Sequence, residues 1–138
     1  MIKENLSILL QSIPDSVTLV AVSKTKPIAS LLEAYEAGQR DFGENKVQEM
    51  AEKASALPRN FRWHMIGHLQ RNKVKYIAPF VSLIHSVDSI RLLNEIDKQS
   101  QKNNRVIDCW LQVRIAQDET KFGLTFDRCS EILNQNNY

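Results

Sequence analysis

Apolar residues recur along the chain at two spacings, one helical and one extended, and the two take turns. Ile2, Leu6, Leu9 and Leu10 form a helical stripe over Ile2–Ser12, broken by Pro14 and Asp15. Val17–Pro27 is then a nearly unbroken apolar run, the pattern of a parallel strand buried on both faces, and its apolar part ends abruptly at Lys24. Ile28, Leu31, Leu32 and Tyr35 fall at i, i+3, i+4 and i+7, which predicts a helix over Pro27–Ala37 with Gly38 as its left-handed stop. Arg40–Asn45 has room for a brief strand. Val47, Met50, Ala51 and Ala54 mark the next helix, stopped by Pro58.

Phe61, Trp63 and Met65 alternate with Arg62, His64 and Ile66, which predicts a third strand over Phe61–Gly67. Leu69–Ala78 reads as a helix ended by Pro79. Val81–Val87 reads as the fourth strand, with Asp88 or Ser89 capping a helix that carries Ile90, Leu93 and Ile96. Val106–Ile115 is the fifth strand, and a last helix places Phe126, Cys129, Ile132 and Leu133 on one side. Five strand–helix alternations with short connections predict an α/β fold with a parallel sheet. A closed TIM-type barrel takes eight such units and typically about 250 residues. The chain therefore reads either as an open sheet or as the front portion of a barrel. No linker, low-complexity tract or repeat divides residues 1–138, so they read as one domain.

Composition narrows the functional classes. A hydrophobic fraction of 43% with 25% charged residues is that of an ordinary globular protein, and a net charge of +2 without a basic stripe argues against nucleic-acid binding. No stretch is long and apolar enough to span a bilayer, and the N-terminus lacks a signal peptide's apolar core. Cys109 and Cys129 have no pairing or metal-ligand spacing, which points to a reducing, cytoplasmic compartment.

The candidate chemistry lies at Lys24. Strand alternation puts Thr18, Val20, Val22 and Lys24 in one row, so Lys24 continues an inward-facing row to the carboxyl end of its strand. Parallel α/β folds place their chemistry at that end. An amine drawn into a low-dielectric mouth becomes a better nucleophile toward carbonyls. The plainer reading is a solvated lysine just past a strand. Lys26, next to Pro27, is the rival and reads as part of an exposed turn.

Five segments together resemble the pyridoxal phosphate homeostasis proteins, which are similar to the N-terminal barrel of alanine racemase. They are Ala21–Pro27 (AVSKTKP), Gly43-Glu44-Asn45 followed by Val47-Gln48-Glu49, Trp63–Lys73, His85–Ser89, and the pair Lys121–Gly123. All lie in order with the right gaps. The resemblance implies an N-terminal helix followed by parallel βα units of a (βα)8 barrel, with about five of the eight units in this chain. It implies pyridoxal 5′-phosphate as cofactor, held as a Schiff base on Lys24.

By the same resemblance, Asn45, His64 and Ser86 are cofactor-pocket candidates. Each also has a plainer reading: a turn asparagine, a satisfied barrel-lining histidine and a helix-capping hydroxyl. Gly67–Lys73 reads as a solvated helix face or a secondary anion or partner surface. Arg114 and Ala116 depart from the asparagine and serine common in relatives. Family members continue through three further βα units that grip the cofactor phosphate, so weak cofactor affinity and self-association through open sheet edges are expected of these residues alone.

Three functions follow from the resemblance and the lysine. The first is a protein that holds pyridoxal phosphate and passes it to PLP-dependent apoenzymes, with no residue singled out as catalytic and no metal. The alternative is a PLP-dependent racemase of the alanine type, which needs a second acid across the ring. Tyr35 and Tyr76 lie in helices and Tyr138 is the last residue. A cofactor-free Schiff-base lyase is the third, and it needs a carboxylate paired with Lys24, which the inward rows do not supply.

Overall fold

The computed structural model describes residues 1–115 and 123–135. The expected alternation is present as α1 (Ile2–Gln11), β1 (Ala21–Val22), α2 (Ile28–Glu36), β2 (Asp41–Glu44), α3 (Val47–Ala56) and β3 (Arg62–Met65). A 3-10 turn, Arg71–Lys73, then leads into α4 (Val74–Ile77), followed by β4 (Val81–Val87), α5 (Ile90–Lys102), β5 (Asp108–Leu111) and α6 (Phe126–Asn134).

The five strands form one parallel sheet in the order β1-β2-β3-β4-β5. Spatial order equals chain order, so the sheet never reverses direction. A doubly wound open sheet has a switch point where the order reverses, whereas a barrel wall winds one way only. The topology is therefore that of a barrel wall, which decides between the two readings the sequence left open.

The core lies between the sheet and its helices. Phe42, Trp63, Met65 and Ile84 face Leu31, Met50, Val74, Ile77, Leu92 and Ile96, all nearly or fully buried. Each such side chain contributes about 1.5–3 kcal/mol by leaving water. Phe61 anchors an aromatic stack, with ring centroids 4.6 Å from Phe42, 4.9 Å from Tyr35 and 5.3 Å from Trp63.

Several elements are shorter than the sequence predicts. The first strand is confined to Ala21–Val22, and Val17 and Val22 are each 53% exposed instead of buried. Ala21 packs on the core while Val22 faces away from it and is left uncovered among the described residues. The fifth strand keeps only Asp108–Leu111, beyond which Val113 makes an isolated bridge with Leu124. The helix expected from Leu69 begins only at Val74. Leu69 is drawn into the core, and Gln70 is extended. Pro27 is the extended N-cap of α2, one residue outside the position expected for it. Ser89, not Asp88, caps α5 by accepting from the Leu92 amide at 3.1 Å. Asp88 instead lies 3.3 Å from His68.

Candidate functional site at the carboxyl ends of β1 to β4

Ser23 leaves β1 by donating its amide to the Gly43 carbonyl at 2.9 Å, and Lys24 comes next. The Lys26 amide closes the turn on the Ser23 carbonyl at 3.1 Å, with Thr25 in the left-handed region at φ 63°. That is the sign of φ a type II turn demands at its third position, where glycine or asparagine is usual. A β-branched residue there costs on the order of 1–3 kcal/mol and needs outside support.

The support comes from α3. Thr25 donates its amide to Glu49 Oε2 at 2.7 Å, and the Ser23 carbonyl accepts from Lys53 Nζ at 2.7 Å. Lys53 also pairs with Glu49 Oε2 at 2.7 Å and Glu44 Oε2 at 3.0 Å. The Ser23 hydroxyl donates to Glu44 as well. Glu44 is fully buried, and its other oxygen, Oε1, has no partner among the described residues. The Lys53 ammonium and the Thr25 amide hold the Glu49 carboxyl below the ordinary carboxylate range. Lys24 itself is exposed at the head of this buried group, and is not drawn into the low-dielectric mouth expected of it.

The neighbouring strand ends are tied together next to it. Gly67 sits so close to Asn45 that a Cβ at Gly67 would lie 2.5 Å from the Asn45 carbonyl oxygen. Ser86 is buried and donates its hydroxyl to the Gly67 carbonyl. Lys24, Asn45, Gly67 and Ser86 thus end four successive strands at one rim. His64 does not reach it. It lies one strand residue back, on the face away from the helices, with Nε2 2.9 Å from Asp41 Oδ1 and Nδ1 3.0 Å from His85 Nε2.

That row crosses four strands. Asp41 takes Arg62 in a two-pronged pair at 2.8 and 2.9 Å, and the His85 ring packs on Trp110 at 4.5 Å between centroids. Burial pushes the Asp41 carboxyl up, but Arg62 and then His64 outweigh it and hold it below its ordinary range. Burial, and secondarily the charge of His64, pushes His85 down. Asp41 is thus committed to Arg62 and His64, and no carboxylate pairs with Lys24 among the described residues, so the carboxylate–lysine pair of a cofactor-free lyase is not formed there.

Sequence reasoning missed Glu44, Glu49 and Lys53 as parts of the site, and Asp41 and His85 as the partners of His64. The signals were present: Glu49 and Lys53 are four apart on a helix, and Glu44 is an acid closing a buried strand. Gly67–Lys73 offers no helical anion site, because its α-helical part is a single turn that begins only after Lys73. Arg114 donates its amide to the Leu124 carbonyl at 2.7 Å, while Ala116, Asp118, Glu119, Lys121 and Tyr138 lie outside the described residues. At the opposite end of the strands a depression of about 570 Å³, lined in part by Phe61, Trp63, Phe80 and Arg105, contains no residue of this rim.

Residues 1–136 match the family model described as the alanine racemase N-terminal domain. The chain belongs to that family. It is 40% identical over 119 residues to the pyridoxal phosphate homeostasis protein of Synechocystis, covering 85% of this chain and 55% of that protein. Structurally it is similar to PipY of Synechococcus elongatus, with a TM-score of 0.89 at 40% identity, covering 96% of this chain and 63% of that one. PipY is also known with PLP bound. Alanine racemase from E. faecalis, at 18% identity and a TM-score of 0.70, shares the fold. The resemblance drawn from the five motifs is borne out. The chain spans about half the length of the curated relatives it matches.

Proposed function

We propose that this protein binds pyridoxal 5′-phosphate and serves in its homeostasis, with the Lys24 amine as the covalent anchor. The observation that carries the reading is the placement of Lys24: an exposed amine at the strand-end rim, on a turn braced from beneath by buried charges. Pyridoxal phosphate supplies an aldehyde that condenses reversibly with a primary amine. An accessible, well-fixed lysine suits that chemistry. The relatives' name, and PLP bound to PipY, support the same cofactor here.

Asn45 and Ser86 line the same rim in this reading, and His64, anchored by Asp41 and His85, forms the floor below it. Holding the cofactor is favoured over racemisation by the state of the two tyrosines among the described residues. Tyr35 donates its hydroxyl to Asn60 and is stacked on Phe61, and Tyr76 lies on α4. Recipient apoenzymes in the cytoplasm complete the reading. The free thiols of Cys109 and Cys129 are in keeping with that compartment, and no helix among the described residues is long and apolar enough to cross a membrane. The outer strands β1 and β5 each pair on one side only among the described residues, which supports self-association through those edges.

The test is to mix the protein with pyridoxal phosphate, reduce with borohydride and map the modified lysine. One phosphopyridoxyl group on Lys24, absent from Lys24→Ala, is the expected result. No label on Lys24 overturns the anchor, and conversion of L-alanine to its mirror image at enzyme-like rates overturns the holding role.

A further inference from the structure

Two peptide groups flank the Lys24 Cα, and a side chain of α3 holds each of them. The carbonyl before Lys24 belongs to Ser23 and accepts from Lys53 Nζ at 2.7 Å. The amide after it belongs to Thr25 and donates to Glu49 Oε2 at 2.7 Å. Lys53 and Glu49 are one helical turn apart and bonded to each other at 2.7 Å through that same Oε2. The relative orientation of two successive peptide planes is fixed by φ and ψ of the residue between them. Gripping both planes therefore fixes the Lys24 backbone, and with it the direction in which its side chain leaves the rim. The left-handed Thr25 backbone makes the grip necessary, since nothing intrinsic to threonine favours that conformation. Glu44 braces the device from the buried side through Lys53 and the Ser23 hydroxyl.

We propose that Glu49 and Lys53 are positioning residues, a pair on α3 that sets the Lys24 backbone and so selects Lys24 over Lys26 as the lysine that reacts with the cofactor aldehyde. The inference rests on the Lys24 reading above. Lys26 is the natural internal control, because it lies two residues away on the same turn and is likewise exposed.

The experiment compares wild type, Glu49→Ala and Glu49→Gln. Each is treated with pyridoxal phosphate and borohydride, and the ratio of label at Lys24 to label at Lys26 is read by peptide mass. Glutamine keeps an oxygen able to accept from both Thr25 and Lys53, whereas alanine removes it. The Lys24:Lys26 ratio is expected to fall roughly tenfold or more in Glu49→Ala, as misplacement of a reacting group does, and to stay within about threefold of wild type in Glu49→Gln. A generally loosened fold would change labelling at both lysines and leave the ratio alone. A ratio unchanged in Glu49→Ala overturns the proposal while leaving Lys24 as the anchor.

If wild type itself shows no preference for Lys24, the anchor reading fails, and hydrogen exchange at the Thr25 amide judges the grip by itself. Protection in wild type that is lost in Glu49→Ala and kept in Glu49→Gln then upholds the pair as what sets this turn. Equal exchange in all three overturns it.

Discussion

His64 and His85 face each other nitrogen to nitrogen, Nδ1 to Nε2 at 3.0 Å, so one ring must donate and the other accept. With His64 Nε2 already turned to Asp41, the pair works as a bonded unit only while at least one nitrogen between the rings is unprotonated.

That arrangement sets the acid limb of stability. His85 has its folded pKa below the ordinary 6.5, so the stability it contributes is fully present above 6.5 and is lost as pH falls from there through the depressed value. Asp41 and Glu49, depressed from 3.8 and 4.5, act in a second and lower window. Urea denaturation is expected to show stability declining below pH 6.5, with a slope under about 1.4 kcal/mol per pH unit for one proton. Residual access of solvent to His85 reduces that slope further. His85→Gln should flatten the upper window and leave the fall below pH 4.5 in place. A wild-type profile flat from pH 7 to about 5 would contradict the assignment.

Lys53 carries the only positive charge facing two carboxylates in this buried cluster among the described residues. Lys53→Met fills similar space but leaves Glu44 and Glu49 uncompensated, and is expected to cost about 3–5 kcal/mol by denaturant unfolding. Glu49→Gln, at the partly open side of the cluster, should cost less than about 1.5 kcal/mol. Equal losses in the two variants would show that the charges are not coupled as described.

Gly67 is required by space alone. Gly67→Ala drives a methyl to 2.5 Å from the Asn45 carbonyl oxygen and 2.9 Å from its Cα, both backbone atoms that cannot swing aside. A loss of about 1–3 kcal/mol is expected. Amide chemical shifts around Asn45 and Ser86 should move more than those on α5.

Burial pushes the Cys109 thiol up to about 11 from the ordinary 9.0. At pH 8 its thiolate fraction is therefore roughly 100-fold below that of an ordinary cysteine. Alkylation by iodoacetamide should be slower by a similar factor in the native state and normal in urea. Fast native labelling of Cys109 would show the thiol to be more open than its surroundings imply.

The order of elements was legible because each strand and helix carries its own spacing of apolar residues, as in Trp63/Met65 against His64/Ile66. Strand ends were not. Val17 and Val106 are as apolar as core residues, yet they find no neighbour to cover them among the described residues. Lys24 and Asn45 could be placed at strand ends from alternation and turn signals. What could not be read was which side chains meet across elements: Asp41 with His64, or Lys53 with Ser23, are separated by about twenty to thirty residues and joined only by the sheet's register in the first case and by the packing of α3 in the second. The left-handed Thr25 also escaped notice, since the sequence there offers neither glycine nor asparagine.

Every bond described to the Ser23–Thr25 turn comes from residues up to Lys53. On the ribosome, all its partners have therefore been made before β3 is translated. The amine's bearings are thus a matter for the residues up to Lys53, whatever later segments add in grasping a ligand.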